Sequence, residues 1–420
     1  MTSPASRLTA FHAPHSASTL AVVLAGGNGT RLGALTRREC KPALPFGGLY
    51  RNIDFPLSNC VHSGIRRIAV LTQYKSQTLI NHIEAGWSFL PRHLGEYVDL
   101  WPAQLRSDSG WYTGTANALF QNLDLMRATR AQVVLVLSGD HIYRMDYRRL
   151  LSHHMASGAD LTISCVHVPA NEAAGFGVVS RDGAGRPTGF IEKPAPPQLG
   201  HANDSVLASM GIYVFNADYL YERLVRDAAS PTSTHDFGRD LIPAAVAKAE
   251  ANACVFCNDD GTPGYWRDVG TLDSYWSTHM DLVDPAIDFE LSQPDWPIFT
   301  HQPQLPPARL LSGRRPVSVH DSIIAPGCRI EGAALTRSVL GHGVQVGADS
   351  ALQQVVALPD AQIGVDCRLH RVIVDSGCVV PSGTVVGEDF ERDAERFEMS
   401  EHGVALVTRE SVLRAARQVA

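Results

Sequence analysis

The chain has 420 residues, 45% hydrophobic and 19% charged, a balance ordinary for a globular protein, and this length predicts two domains or one large domain with an appendage. Lys and Arg number 36 against 43 Asp and Glu, and the resulting net charge of -7 excludes bulk attraction to nucleic acid or to an anionic membrane. No apolar run reaches the roughly 18 to 20 residues of a membrane span, so a small-molecule substrate is the expectation.

Residues 1–18 carry scattered Ser, Ala, His and Pro around a single Arg7 and read as a disordered tail, not a signal peptide; a cytoplasmic location is expected. An apolar run of strand length, Leu20 to Leu24, then leads into LAGGNGTRL. Its glycines Gly26, Gly27 and Gly29 let backbone N–H groups approach an anion, and Thr30 and Arg31 close the loop with a hydroxyl and a fixed positive fork. It is not a Walker A loop, because no Lys-Ser/Thr pair follows Gly29. It is not a dinucleotide-binding turn either, because Leu32 stands where the third glycine belongs. Lys41, followed by Pro42, supplies a second cation for a polyphosphate.

From Thr19 to about Asp284, strand-like runs (Ala21–Leu24, Ile68–Thr72, Val133–Leu137, Leu161–Val166, Gly211–Phe215) alternate with helical stretches (Ser76–Ala85, Ala116–Met126, Tyr147–Ala156). Such alternation predicts an α/β, Rossmann-like, mainly parallel sheet whose ligands bind beyond the C-terminal strand ends. The run Val133–Leu137 ends in Ser138-Gly139-Asp140-His141, which puts a carboxylate at a strand tip. Asp268, in YWRDVGT, is a second. Two aspartates with phosphate oxygens and water would suit Mg²⁺, although either aspartate alone reads equally well as a helix cap or an ion-pair partner. His141 is expected to orient its turn. Lys193 could hold a phosphate monoester and Glu192 could accept from sugar hydroxyls. Cys254 and Cys257 form the one close cysteine pair; with no second pair to complete a zinc site, they read as small apolar residues of a buried strand.

After Gln293 the texture changes. Five prolines between Pro294 and Pro307 mark a linker. Beyond it apolar residues recur every six positions (Leu340, Val346, Leu352, Leu358; Ile373, Val379, Val385), with Gly341/Gly347 and Gly377/Gly383 in phase. That period predicts a parallel β-helix. The expected organisation is therefore a tail (1–18), a catalytic domain (19–290), a Pro-rich linker (291–317), a β-helix (318–387) and a capping segment (388–420).

Taken together, LAGGNGTRL, KPALPFGGLYRNIDFPLSNC, SGIRRIAVLTQY, GWSFL, WYTGTA, SGDHIY, EKP, ASMGIYVF, YWRDVGT and a closing LVTRE resemble the bacterial glucose-1-phosphate adenylyltransferases, from about Thr19 to Glu410. The resemblance implies a nucleotidyltransferase domain followed by a left-handed parallel β-helix. It implies Mg²⁺-dependent transfer of the adenylyl group of ATP to glucose 1-phosphate, for glycogen or another α-glucan. By similarity, Arg31, Lys41 and Asp140 are catalytic, with Gly26, Gly27, Gly29, Thr30 and Gln104 on ATP. Tyr112, Gly177, Glu192, Lys193 and Ser209 would receive glucose 1-phosphate, and Asp140 and Asp268 would hold the metal. The family is also tetrameric and allosteric, which implies a homotetramer and sugar-phosphate or nucleotide effectors, with Arg38, Arg51, His370 and Arg371 as regulatory candidates. The chain departs from pattern at Glu39-Cys40, where relatives commonly read Arg-Ala, and at Asn117, where many carry aspartate. The alternatives are a catalytically weak regulatory subunit, an enzyme using UTP or dTTP, and an acyltransferase suggested by the hexapeptide coil.

Overall fold

A computed structural model of the protein describes residues 14–27, 29–104, 111–195, 205–258 and 260–419, except for the side chains of 14, 15 and 415–419. Nine strands form the main sheet: β1 (Thr19–Ala25), β2 (Arg67–Thr72), β3 (Tyr97–Pro102), β4 (Val133–Ser138), β5 (Leu161–Pro169), β6 (Gly177–Arg181), β7 (Pro187–Glu192), β8 (Ser205–Asn216) and β9 (Ala251–Val255). Their order is β7-β6-β8-β4-β1-β2-β3, with β5 branching from β8 and β9 pairing with β5.

β1 is an unbroken apolar run because it is central and covered on both faces. Leu20 and Val22 pack into one core, and Ala21 and Val23 into the other. β1 runs parallel to β4 with Leu24 opposite Ser138, so the glycine-rich loop and Asp140 leave adjacent strands at the same edge of the sheet. This register creates the site.

The parallel-rich sheet expected from the alternation is present, with β8 reversed within it. β4, β1, β2 and β3 are parallel, whereas β8 runs antiparallel to β4, β5 and β6. That reversal carries Ser209 past the end of β4 toward Asp140. A bulge between Ser209 and Ile212 accommodates Gly211, whose φ is +67° and beside which His141 packs. The predicted helix Ala116–Met126 is two helices, Thr115–Phe120 and Leu123–Ala128. Asn122 breaks it by donating through Nδ2 to Ala118 O and to Tyr112 Oη, both at 2.8 Å.

The C-terminal domain is a parallel β-helix. Leu335, Leu352 and Leu369 stack in register, giving a coil of 17 residues where three strict six-residue sides would give 18. The corners take left-handed backbone, as at Gly332, Asp349, Asp366 and Gly383.

Three expected boundaries need correction. The first 13 residues of the tail lie outside the described residues. The tail's last residues are ordered: a short helix spans Pro14–Ala17, and the buried Ser16 Oγ donates to Ser63 O. The linker ends before 317, because Arg309–Leu311 already pairs with Arg329–Glu331 as a coil strand. Its earlier part is strapped to the helix Asp54–His62 by Trp296 Nε1, which donates to Asn59 Oδ1, and by Phe299 N, which donates to Ser58 Oγ. The β-helix also continues past 387, since Ala405–Val407 adds a further strand to Arg368–Val374. Helices Phe390–Arg396 and Arg409–Val419 flank it. One apolar cluster joins the two domains, with Phe55, Val269 and Tyr275 packed among Val356, Ile373 and Leu406. Among the described residues, no helix is long and apolar enough to cross a membrane.

Candidate active site

At the C-terminal ends of β1 and β4 a cavity of about 530 Å³ opens into a smaller one of about 260 Å³. The larger is walled by the glycine-rich loop, Gln73 and the segment Tyr112–Thr115. Gly177, Glu192, Lys193, Ser209 and Trp266 line the smaller. Arg31, Lys41, Asp140 and Asp236 border both, so the two chambers meet at a ring of charge.

The loop glycines have different reasons to be glycine. Gly29 adopts φ +59° and packs on Thr36, where a Cβ would lie 2.9 Å from Cγ2. Gly26 sits close over Gln73, and Gly27 faces open space. Thr36 Oγ1 donates to Gly29 O at 3.0 Å, tying the loop to the 3-10 helix Thr30–Arg37 that carries Arg31. Arg31 and Thr30 are exposed at the cavity mouth.

Lys41 is the centre of the arrangement. Its backbone is fixed by Asn52 Nδ2, which donates to Lys41 O, and its Nζ lies 2.6 Å from Asp140 Oδ2 and 2.7 Å from Asp268 Oδ1. Asp140 sits just past β4, and Asp268 ends the strand Trp266–Asp268, which pairs with His141–Tyr143. Ser138 Oγ also donates to Asp140 Oδ1. Burial alone would raise the Asp140 carboxyl, but the charges of Lys41 and His141 outweigh it and hold Asp140 well below the usual carboxylate range. Burial likewise acts to lower the Lys41 amine, and the two carboxylates overcome it and raise it. Lys41 and Asp140 are both ionised at neutral pH.

His141 Nε2 lies 3.6 Å from Asp140 Oδ1 and 3.8 Å from Asp268 Oδ1, and its ring meets Trp266 edge-on. In the smaller cavity His141 Nδ1 and Trp266 Nε1 are both buried and have no hydrogen-bond partner among the described residues. Lys193, with φ +48°, places Nζ 3.1 Å from Glu192 Oε1, and Ser209 Oγ donates to Tyr213 Oη.

The sequence-derived set does not gather as one group. Tyr112, expected on the sugar, borders the larger cavity with its hydroxyl accepting from Asn122. Gln104 is exposed just beyond β3, outside the residues lining either cavity. Asp236 was missed. It accepts from Gly238 N, Arg239 N and Thr115 Oγ1 and stands at the junction of the chambers, behind His235 in left-handed backbone. Its signal was the acid before Phe237-Gly238, a helix-capping pattern.

Of the regulatory candidates, Arg38 pairs with Glu410 at 2.8 Å and Arg51 with Glu39 at 3.4 Å. Asp375 senses the charges of Glu39, Glu410 and Arg38. Arg371 instead lies over the Trp276 ring and donates to His402 O, while His370 contacts Gly387 O.

Comparison with known proteins follows the same division of the chain. Residues 20–284 match the Nucleotidyl transferase family, and residues 306–407 match the GlmU-like, C-terminal hexapeptide family. The chain is 51% identical over 395 residues to the glucose-1-phosphate adenylyltransferase of Hydrogenovibrio crunogenus, covering 93% of each chain. It is 49% identical over 404 residues to that of Paraburkholderia phytofirmans, covering 94% of this chain and 96% of the relative. For the protein of the same name from Rhodospirillum rubrum the figures are 50% over 400 residues, 93% of this chain and 94% of the relative.

Proposed function

The chain belongs to the glucose-1-phosphate adenylyltransferases within the nucleotidyl transferase family, and from that premise we propose how its residues make ADP-glucose from ATP and glucose 1-phosphate. The observation that carries the reading is Lys41 bridging Asp140 and Asp268 where two chambers meet. The larger chamber takes ATP and the smaller takes glucose 1-phosphate. A phosphate oxygen of glucose 1-phosphate attacks the α-phosphorus of ATP, the bond from that phosphorus to the bridging oxygen breaks, and pyrophosphate leaves.

No covalent chemistry is asked of the protein. Its task is to bring two anions together and offset their repulsion. Arg31 and Lys41, with the N–H groups around Gly26, Gly27, Gly29 and Thr30, hold the triphosphate. Each charge-assisted contact contributes about 1.5 to 3 kcal/mol. Lys193 holds the sugar phosphate, and Glu192, Ser209 and the backbone at Gly177 orient the sugar. Tyr112 is assigned to the nucleotide chamber because it borders that one.

Asp140 and Asp268 bring two hard carboxylates together, both on Lys41 Nζ in this structure, and with phosphate oxygens and water they would make a donor set that suits Mg²⁺. Bound there, the ion would neutralise charge on the phosphates. The reading extends to a cytoplasmic homotetramer. Support comes from eight free cysteines, which suit a reducing compartment, and from the exposed Leu310, Val365 and Val379 on the coil, which offer apolar surface to a second copy. Sugar-phosphate or nucleotide effectors would meet Arg38, Arg51, His370 and Arg371, with Glu39 retuning the site.

The test is product identification: purified protein with ATP, glucose 1-phosphate and Mg²⁺ should yield ADP-glucose and pyrophosphate in equal amounts. Hydrolysis of ATP without sugar nucleotide would overturn the assignment.

A further inference from the structure

We infer that the hairpin closing the β-helix, Glu398–Met399 paired with Ala405–Val407, is a positioning element of the nucleotide site that holds the segments bearing Arg31 and Asp268 in one register. The inference rests on the reading of the larger chamber as the nucleotide pocket.

The first contact is with the Arg31 segment. Glu398 Oε2 accepts from Ala34 N at 3.2 Å, across 364 residues of sequence. The 3-10 helix Thr30–Arg37 is kinked at Gly33, whose φ is +55° and ψ -129°. A Cβ at Gly33 would lie 1.7 Å from Glu398 Oε1, so the carboxylate occupies the space a side chain would need. Glycine therefore serves two purposes here, the backbone angle and the approach of an acid from the other domain.

The second contact is with the Asp268 segment. Ser400 Oγ donates to Asp273 Oδ1 at 2.6 Å, and His402 Nδ1 lies 3.2 Å from Asp273 Oδ2. Asp273 opens the helix Leu272–Asp281, whose cap Thr271 is three residues past Asp268. The two segments touch at Gly270, where a Cβ would lie 3.1 Å from Arg31 Nη2. The hairpin itself is anchored to the coil. Ala405–Val407 pairs with Arg368–Val374, and its turn is closed by Ser400 N donating to Val404 O and by Arg371 donating to His402 O. One short turn of the β-helix domain thus grips both walls of the phosphate pocket from behind.

The experiment is steady-state pyrophosphate release by Glu398→Ala, Ser400→Ala and Glu398→Gln in the full-length enzyme, varying each substrate at saturation of the other, with melting temperatures measured alongside. Each alanine variant should raise KM for ATP about three- to tenfold, the effect of one lost hydrogen bond, with KM for glucose 1-phosphate within about twofold. Glu398→Gln keeps an oxygen acceptor and should stay within about twofold of wild type for both. An unchanged KM for ATP in both alanine variants overturns the inference, whatever happens to melting temperature. A rise confined to glucose 1-phosphate would overturn the assignment of the larger chamber as well.

Discussion

Lys41 Nζ and Asp140 Oδ2 lie 2.6 Å apart, an ion pair between two residues that border both chambers. Asp268 accepts from the same amine, so one lysine bridges two carboxylates. A carboxylate kept ionised there by Lys41 is ready to meet a cation at neutral pH.

Replacing Asp140 by Asn preserves shape and removes that charge. We expect kcat to fall by about 10² or more at saturating Mg²⁺, through lost stabilisation of charge in the transition state. Activity retained at high Mg²⁺ would remove Asp140 from the site.

Lys193 holds a position away from the ion-pair centre, half-exposed and beside Glu192. Lys193→Ala should chiefly raise KM for glucose 1-phosphate, by about tenfold or more, with a smaller change in KM for ATP. The reverse pattern would place the sugar phosphate elsewhere.

His279 links the helix Leu272–Asp281 to the turn at Gly47: its Nδ1 donates to Tyr275 O and its Nε2 accepts from Gly47 N. Burial drives its pKa from 6.5 down to about 4, against a raising effect of the Tyr275 carbonyl. The unfolded chain then binds the proton more tightly. The stability from neutral His279 is complete above pH 6.5 and is lost as pH falls from 6.5 toward 4. Urea unfolding should show that slope, and His279→Gln should be less stable at pH 7.5 and flatter with pH.

Asp375 behaves in the opposite sense. Burial first, then the charges of Glu39 and Glu410, push its pKa from 3.8 to about 6, only partly offset by the Ser376 N–H and by Arg38. The folded state holds this proton more tightly, so stability falls as pH rises from 3.8 to 6, and the penalty is complete above 6. Asp375→Asn can keep the bond from Ser376 N and should be more stable than wild type at pH 8, on the order of 1 to 3 kcal/mol. No gain should remain below pH 3.8. An equal gain at both pH values would mean that packing, not charge, is responsible.

What the sequence made legible followed from strong local signals. β1, β2 and β4 are buried on both faces, so their runs are continuous and their tips locate the glycine-rich loop and Asp140. β3 was missed because it is an edge strand, half-buried along its length, with no clean pattern. The antiparallel direction of β8 is a property of pairing and leaves no mark in its own residues. The six-residue period was readable, but a coil of 17 needs one side shortened, which single positions do not reveal. The convergence of Lys41, Asp140 and Asp268 spans 227 residues and could only be inferred from resemblance. The buried Asp54, which accepts from Trp87 Nε1 and lies 2.7 Å from His82 Nε2, gave no local signal at all.

The central claim is that the larger chamber takes ATP and passes its adenylyl group to glucose 1-phosphate. Pyrophosphate release with glucose 1-phosphate and ATP, UTP, dTTP, CTP or GTP, compared as kcat/KM, tests it most directly. The account predicts ATP to be preferred at least about tenfold; a tenfold preference for UTP or dTTP would contradict it.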